Sequence, residues 1–224
     1  MHCPLLPLVF MASEAPRKAG RPRNPVSRDA LLAVARTAFA ESGYAGASMN
    51  DIAGRAGIRK ASLFHHFRSK EALYLEMFSL ITQDLSRLVV EANLSEGGFV
   101  QRLDRLGSLV THYFGDHPHV ARLAMRELVD GGPFAGGAGR AQVEMALRVV
   151  VAFLRSGIEE GVIADQDPRQ LAITITGLHL FHFAASDLTG SLFGGKPFAA
   201  ETVAERNEAV RDQVRRLCGV QGEE

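Results

Sequence analysis

From residue 27 onward, apolar residues recur three and four positions apart, the period of one helix face, and no segment alternates convincingly as a strand would. The pattern predicts nine helices. The first opens at Ser27, turns Leu31, Leu32, Ala35, Ala38 and Phe39 inward, and runs to about Ser42, with Gly43 as its C-terminal cap. The second opens at Ser48, where Asp51 three residues on completes a capping-box pattern, and carries Ile52, Ala53 and Ala56 on its buried side. Gly57 supplies a sharp turn and Ile58 plugs it. A third, short helix follows from about Lys60 to Phe67, with Leu63 and Phe67 inward. Ser69 caps a fourth, which continues to about Asn93 through Leu73, Met77, Leu80, Ile81, Leu85 and Leu88, long enough to join two parts of a molecule.

Gly97-Gly98 interrupts the periodicity, and a fifth helix spans about Phe99 to Phe114 with Leu103, Leu106, Val110 and Tyr113 or Phe114 in its stripe. The sixth runs from Pro118 to about Val129 and places Val120, Leu123, Ala124 and Leu128 inward. Residues 131–139 are glycine-rich but lack the G-K-[ST] ending of a phosphate-binding loop, so they read as a connection or lid. A seventh helix covers about Arg140 to Glu160. The eighth opens at Pro168, a favoured first position, and is apolar on nearly every face from Leu171 to Leu188. Such a helix must be covered on both sides. Leu171, Ile175, Leu178, His182 and Ala185 are assigned to its own subunit, and Ile173, Gly177, Leu180 and Ala184 to a second helix beyond it. The last helix, about residues 199–218, carries a seam of Val203, Val210, Val214 and Leu217.

The fold class that follows is all-α: a disordered basic arm over residues 1–26, a three-helix head over 27–68, and a helical body over 69–224. Charge separates head from body. Residues 1–78 hold 11 Lys and Arg against 6 Asp and Glu, and residues 79–224 hold 14 against 19, so a chain of zero net charge has a basic front and an acidic rear. The front suits a phosphate-rich partner. In the arm, Arg21 and Arg23 flank Pro22 in an extended stretch that could enter a DNA minor groove; the other reading is a solvated tail that adds only nonspecific attraction. The first ten residues contain Pro4 and Pro7 and lack a basic leader, so they do not read as a signal peptide. Met11 is the better start, which makes residues 1–10 a misassigned start or a tail. No apolar run has the length of a membrane span, and Cys3 and Cys218 are too few for a disulfide framework, which fits a reducing cytoplasm.

Catalytic signatures are missing: the chain has no G-x-S-x-G, H-E-x-x-H, C-x-x-C or Walker sequence. The prediction is therefore not an enzyme, with no cofactor and no metal. His179 and His182 share one side of the apolar eighth helix, but without a cysteine or acidic companion they read as hydrogen-bonded pocket histidines and not as zinc ligands.

Residues 48–70, with Asp51-Ile52-Ala53, Ala56-Gly57-Ile58, Leu63-Phe64-His65-His66-Phe67 and Ser69-Lys70-Glu71-Ala72-Leu73, together with Phe39 and Gly43-Tyr44 upstream, resemble the head of the TetR family of bacterial transcriptional repressors. The resemblance covers about the first third of the chain; beyond it only the helical layout matches. It implies a helix-turn-helix whose second helix enters the major groove, a cytoplasmic homodimer formed through the helices near 168–188 and 199–218, and a small-molecule effector. Carried over, the DNA-binding residues are Ser48, Asn50, Arg59, Lys60, Ser62, Phe64, His65, His66 and Lys70, joined by Arg21 and Arg23 of the arm. Asn50 can read adenine, and Lys70 at a helix N-terminus can clamp phosphate. Three departures from the family pattern matter. Arg59 replaces a small hydroxyl cap, Phe64 a tyrosine, and Ala61 a common glycine.

For the effector, Leu109, Tyr113, Met125, Phe153, Leu178, His179 and His182 make a candidate pocket wall, apolar and aromatic with few polar groups, which suits a hydrophobic or aromatic molecule. The alternative is a filled core without a cavity. Two other function classes stay open: a DNA-binding protein that recruits a protein partner, and a helical enzyme with a vestigial head.

Overall fold

The computed structural model describes residues 26–220. The arm, Arg21 and Arg23, and the proposed late start lie outside the described residues. Within them the fold is all helical, without a strand. The helices are α1 (Arg28–Gly46), α2 (Met49–Arg55), α3 (Lys60–His66), α4 (Lys70–Leu94), α5 (Phe99–Asp116), α6 (Pro118–Asp130), α7 (Arg140–Glu159), α8 (Pro168–Ala184), α9 (Ser186–Thr189) and α10 (Ala200–Cys218).

Three serines set the frame of the head. Ser27, Ser48 and Ser69 each sit in extended backbone and accept from the N–H three residues on, at 3.1, 3.0 and 3.0 Å, so each fixes where a helix begins. Asp51 does not complete its box; its carboxylate pairs instead with Arg55 one turn later at 2.9 Å. Regular α1 geometry breaks at Gly43, whose φ of +69° lies in the left-handed region that glycine tolerates. One more turn carries the chain to Gly46. Ile58 is only partly buried in the turn.

The core forms two clusters. One joins α1, α2, α3 and the first half of α4 to α6, Phe134, Leu180, Phe183 and Val203, so head and body share a continuous interior. The other gathers the far end of α4 with α5, α7, Ile163, the start of α8 and the seam of α10.

Three helices, α6, α8 and α10, depart from expectation in phase. The buried side of α8 is Leu171, Ala172, His179, Leu180 and Phe183, not the set that included Leu178, His182 and Ala185. An all-apolar helix has no polar side to fix its rotation, which explains the error. The helix also stops at Ala184, and the chain continues through α9 and a 3₁₀ turn at Gly190–Phe193. In α10, Cys218 takes the place expected of Leu217, and the seam packs against α5 and α8 of its own chain. On α6 the inward position falls to Glu127; Leu128 is 54% exposed. No single described helix is long and apolar enough to cross a membrane; α8 and the segment after it qualify only as a pair bent by 63°.

Candidate DNA-reading head and effector cavity

The turn between α2 and α3 presents a mixed polar and aromatic surface. Asn50, Arg59, Lys60, Ser62, Phe64 and His65 are exposed, and Ser48 is exposed with its hydroxyl used as the α2 cap. Arg59 begins α3 without a side-chain cap, as its replacement of a hydroxyl residue implies. The Lys60 ammonium lies 5.9 Å from the Phe64 ring centroid. His66 is partly buried beside His65 and Phe67, and its carbonyl accepts from Arg28 at 2.7 Å. Arg28 also takes the Glu76 carboxylate in a fork at 2.6 and 2.5 Å and covers the Phe67 ring, so one side chain binds α1, the end of α3 and α4 together. The sequence reading did not single it out.

Lys70 is not extended as a free phosphate clamp would be. Its ammonium donates back to the carbonyls of Tyr44 and Ala47, at 2.8 and 3.2 Å, and sits 4.4 Å from the centroid of the Tyr44 ring. Those carbonyls close the C-terminal end of α1, where a cation is favoured. One of its three N–H donors remains for another partner.

Beneath the head, Phe39, Tyr44 and Tyr74 pack edge to face and offset, with centroids 4.8 to 6.2 Å apart. Tyr74 reaches through this group to Glu127. The buried carboxylate accepts from the Tyr74 hydroxyl at 2.5 Å and from the backbone N–H groups of Phe134 and Ala135 at 2.6 and 2.7 Å. Burial, then Glu127, hold the Tyr74 phenol protonated well above its ordinary range. The glycine-rich segment closes on this carboxylate as one π-helical turn, Phe134–Ala138. Gly132 lies so close that a Cβ there would stand 2.1 Å from a Glu127 oxygen.

Phe134 and Ala135 are also one wall of a cavity of about 240 Å³ enclosed by α4, α5, α6, α7 and α8. Its lining is nearly all carbon, with Phe78, Ile81, Leu106, Val110, Val150 and Leu180 prominent. Leu128 and Leu147 line it and are also exposed on their outer sides, which marks a mouth between α6 and α7. Of the predicted wall, His179 alone lies on this cavity. Phe153 stacks on Phe99 and faces a second, separate hollow between α4 and α7. Tyr113 lies over His117, and burial followed by Asp84 push its phenol up to about 12. Met125 packs in the first core cluster and Leu109 and Leu178 against the second. His182 sits between Phe183 and Phe193, with burial and Arg206 lowering its pKa to about 4. Five of these six adjoin a lining residue: Leu109 beside Val110, Tyr113 beside Phe114, Met125 beside Ala124, Phe153 beside Leu154 and Leu178 beside His179. A helix turns about 100° per residue, so a rotation error of one position takes a side chain off the wall. His182 instead lies beyond Leu180, the last α8 residue on the wall. Leu106, Gly107 and Val110 stand where Leu109 and Tyr113 were expected. Among the described residues no group of three or more His, Cys, Asp or Glu could hold a metal.

Comparison with known proteins follows this division. Residues 31–77 match the model of bacterial regulatory proteins of the tetR family, and residues 100–214 match that of the tetracyclin repressor-like C-terminal domain. The chain is 24% identical over 211 residues to the HTH-type transcriptional regulator RutR of Escherichia coli strain K12, covering 92% of this chain and 99% of RutR. The solved structure of the ketosteroid transcriptional regulator KstR2 of Mycobacterium tuberculosis superposes with a TM-score of 0.66 at 24% identity, covering 92% of this chain and 100% of that one. AibR, solved with isovaleryl coenzyme A and operator DNA, superposes with a TM-score of 0.65 at 19% identity, covering 86% and 98%. With both halves matched in order, the chain belongs to the TetR family of bacterial regulatory proteins: it is a helix-turn-helix, DNA-binding transcriptional regulator and not an enzyme.

Proposed function

We propose that the protein is a cytoplasmic, homodimeric repressor that leaves its double-stranded operator when a hydrophobic or aromatic small molecule enters the α4–α8 cavity. In this reading residues 27–68 read DNA, preceded by the arm of residues 1–26, and residues 69–224 bind the effector and dimerise. The observation that carries it is the cavity itself, carbon-lined and sharing Glu127 and Phe134 with the contacts that reach the head. An apolar molecule gains by leaving water for such a site. Because the same wall holds Tyr74, a ligand that fits one arrangement of the wall better than another shifts the population of head positions. Two structural relatives bear on the class of effector: KstR2 is a ketosteroid transcriptional regulator, and AibR was solved with isovaleryl coenzyme A.

On DNA, Asn50, Arg59, Lys60, Ser62, Phe64 and His65 face the duplex, and Lys70 offers its remaining N–H to phosphate. Support for the dimer comes from α8. Ile173 and Phe181 are each 61% exposed, eight residues apart on one face, with Gly177 between them open to solvent. An apolar strip with a glycine at its centre suits close approach of the same helix from a second copy.

The test is operator binding to the DNA flanking the protein's own gene, followed by a thermal-shift screen and operator release. Apolar and aromatic compounds should stabilise the protein and release DNA. A compound that stabilises it by mass action and never releases DNA would break the coupling, and hits confined to sugars or nucleotides would overturn the hydrophobic class.

A further inference from the structure

Helix α3 carries Lys60, Ser62, Phe64 and His65, all exposed, yet has little of its own to hold it in place. It is seven residues long, no side chain caps its start, and Leu63 is its one buried residue. A helix this short is not stable by itself, and its last carbonyls find no partner within the helix. The tilt at which it presents side chains to a base edge must therefore be set from outside.

Arg28 is placed to set it. It is the first residue of α1, directly after the Ser27 cap, where the helix dipole favours an acid over a cation. Its guanidinium turns away from that end and toward the C-terminal end of α3, where a cation is favoured. Nη1 donates to the His66 carbonyl at 2.7 Å, while Nε and Nη2 donate to the two Glu76 carboxylate oxygens at 2.6 and 2.5 Å. The guanidinium carbon lies 4.2 Å from the centroid of the Phe67 ring, which is buried just beyond α3. Glu76 stands between Tyr74 and Phe78 on α4, and both of these pack in the core that head and body share. That part of α4 is a fixed reference, and the fork ties the end of α3 to it.

We infer that Arg28 is a positioning residue for DNA reading: it joins the His66 carbonyl to Glu76 of α4 and so sets the tilt of α3, without itself contacting the duplex. This rests on the helix-turn-helix assignment and is independent of the effector cavity. The charge balance separates Arg28 from a phosphate contact. Its positive charge is met by the Glu76 carboxylate in a two-bond fork, so it adds little to the field that attracts DNA. Lysine could not take its place, because a single ammonium lacks the planar fork that holds a carboxylate and a carbonyl at once.

The experiment uses the full chain and two duplexes of equal length, one enriched by the natural protein from a random-sequence pool and one of random sequence. Binding is measured below the melting temperature of every variant. Arg28→Ala should weaken binding to the enriched duplex about tenfold, the effect of one mismatched base pair, and to the random duplex less than about twofold. The slope of log affinity against log salt should stay as it is. Glu76→Ala makes the head more positive, which by charge alone would tighten both complexes, yet it should lower the enriched-to-random ratio about as far. Arg28→Lys should lower the ratio as well. Arg28→Ala and Glu76→Ala change the net charge in opposite directions, so a fall in the ratio with both is the mark of position and not of charge. If Arg28→Ala does not fold, the other two variants carry the test. An equal loss on both duplexes with a salt slope flattened by about 0.9 would make Arg28 a phosphate contact and overturn the inference. Full recovery of the ratio by Arg28→Lys, or an unchanged ratio with Glu76→Ala, would overturn it too.

Discussion

The Tyr74 hydroxyl and the Glu127 carboxylate meet at 2.5 Å, and through that bond the cavity wall is tied to the aromatic group under the head. Glu127 holds the glycine-rich turn with its other oxygen, and Tyr74 touches Tyr44, whose ring and carbonyl are both engaged by Lys70. Four residues thus span from effector wall to DNA-reading end. Tyr74→Phe removes one donor from a buried carboxylate and should cost about 1–3 kcal/mol of stability. It should also raise the effector concentration needed for operator release. A melting temperature and a release midpoint both equal to those of the natural protein would remove this bond from the coupling.

Lys70→Ala should act twice. Loss of the bonds to Tyr44 and Ala47 should lower the melting temperature, and loss of a positive charge near the duplex should weaken binding to all sequences alike. The slope of log affinity against log salt should flatten by about 0.9. Ser62→Ala or Asn50→Ala should instead change which sequence is preferred. A lower melting temperature with an unchanged salt slope would mean that Lys70 serves only to close α1.

Gly177→Glu sets a charge in the middle of the exposed α8 strip without any intrachain neighbour to disturb. Sedimentation should give a folded monomer, since burying an unpaired charge in a helix interface costs several kcal/mol. Phe181→Glu should do the same. Dimers of ordinary size from both variants would place the interface elsewhere.

Acid should destabilise the body through its histidines. The unfolded His182 protonates near 6.5 and the folded one near 4, held down by burial, Arg206 and His179. Its contribution to stability is therefore complete above pH 6.5 and lost as pH falls from there through 4. His179 shifts in the same direction. The melting temperature should fall over that window, and His182→Phe, which keeps ring contacts with Phe183 and Phe193, should make the fall shallower by about one proton. Equal slopes would show that His182 is not the group being charged.

Helix starts were legible because capping serines announce them locally: Ser27, Ser48 and Ser69 all cap as read. Amphipathic helices gave their inward sides for the same reason, as Leu31, Leu32, Ala35 and Phe39 illustrate. The cavity was not legible residue by residue. Its wall depends on the rotation of α5 and α8 to within one position, and α8 has no polar side to fix it. Glu127 did leave a signal: it sits seven residues after Val120 and four after Leu123, an acid in line with an apolar stripe. An acid in that position must find donors, but nothing in the sequence says that they are Tyr74, Phe134 and Ala135. Lys70 was placed at the correct helix end, while its turn back toward Tyr44 depends on contacts 26 residues away in sequence.

The interior shared by head and body has a consequence for modularity. Leu31, Phe39 and Tyr74 pack in the same cluster as Leu123, Phe134 and Phe183, and the Arg126 side chain of α6 lies against Gly43 of α1. A cut after residue 68 would expose that surface on both fragments. A chimera that transplants this specificity onto another regulator's body must carry the α6 face and the Glu127 turn with the reading helices, or rebuild their contacts, since the seam between the functions does not coincide with a seam in the packing.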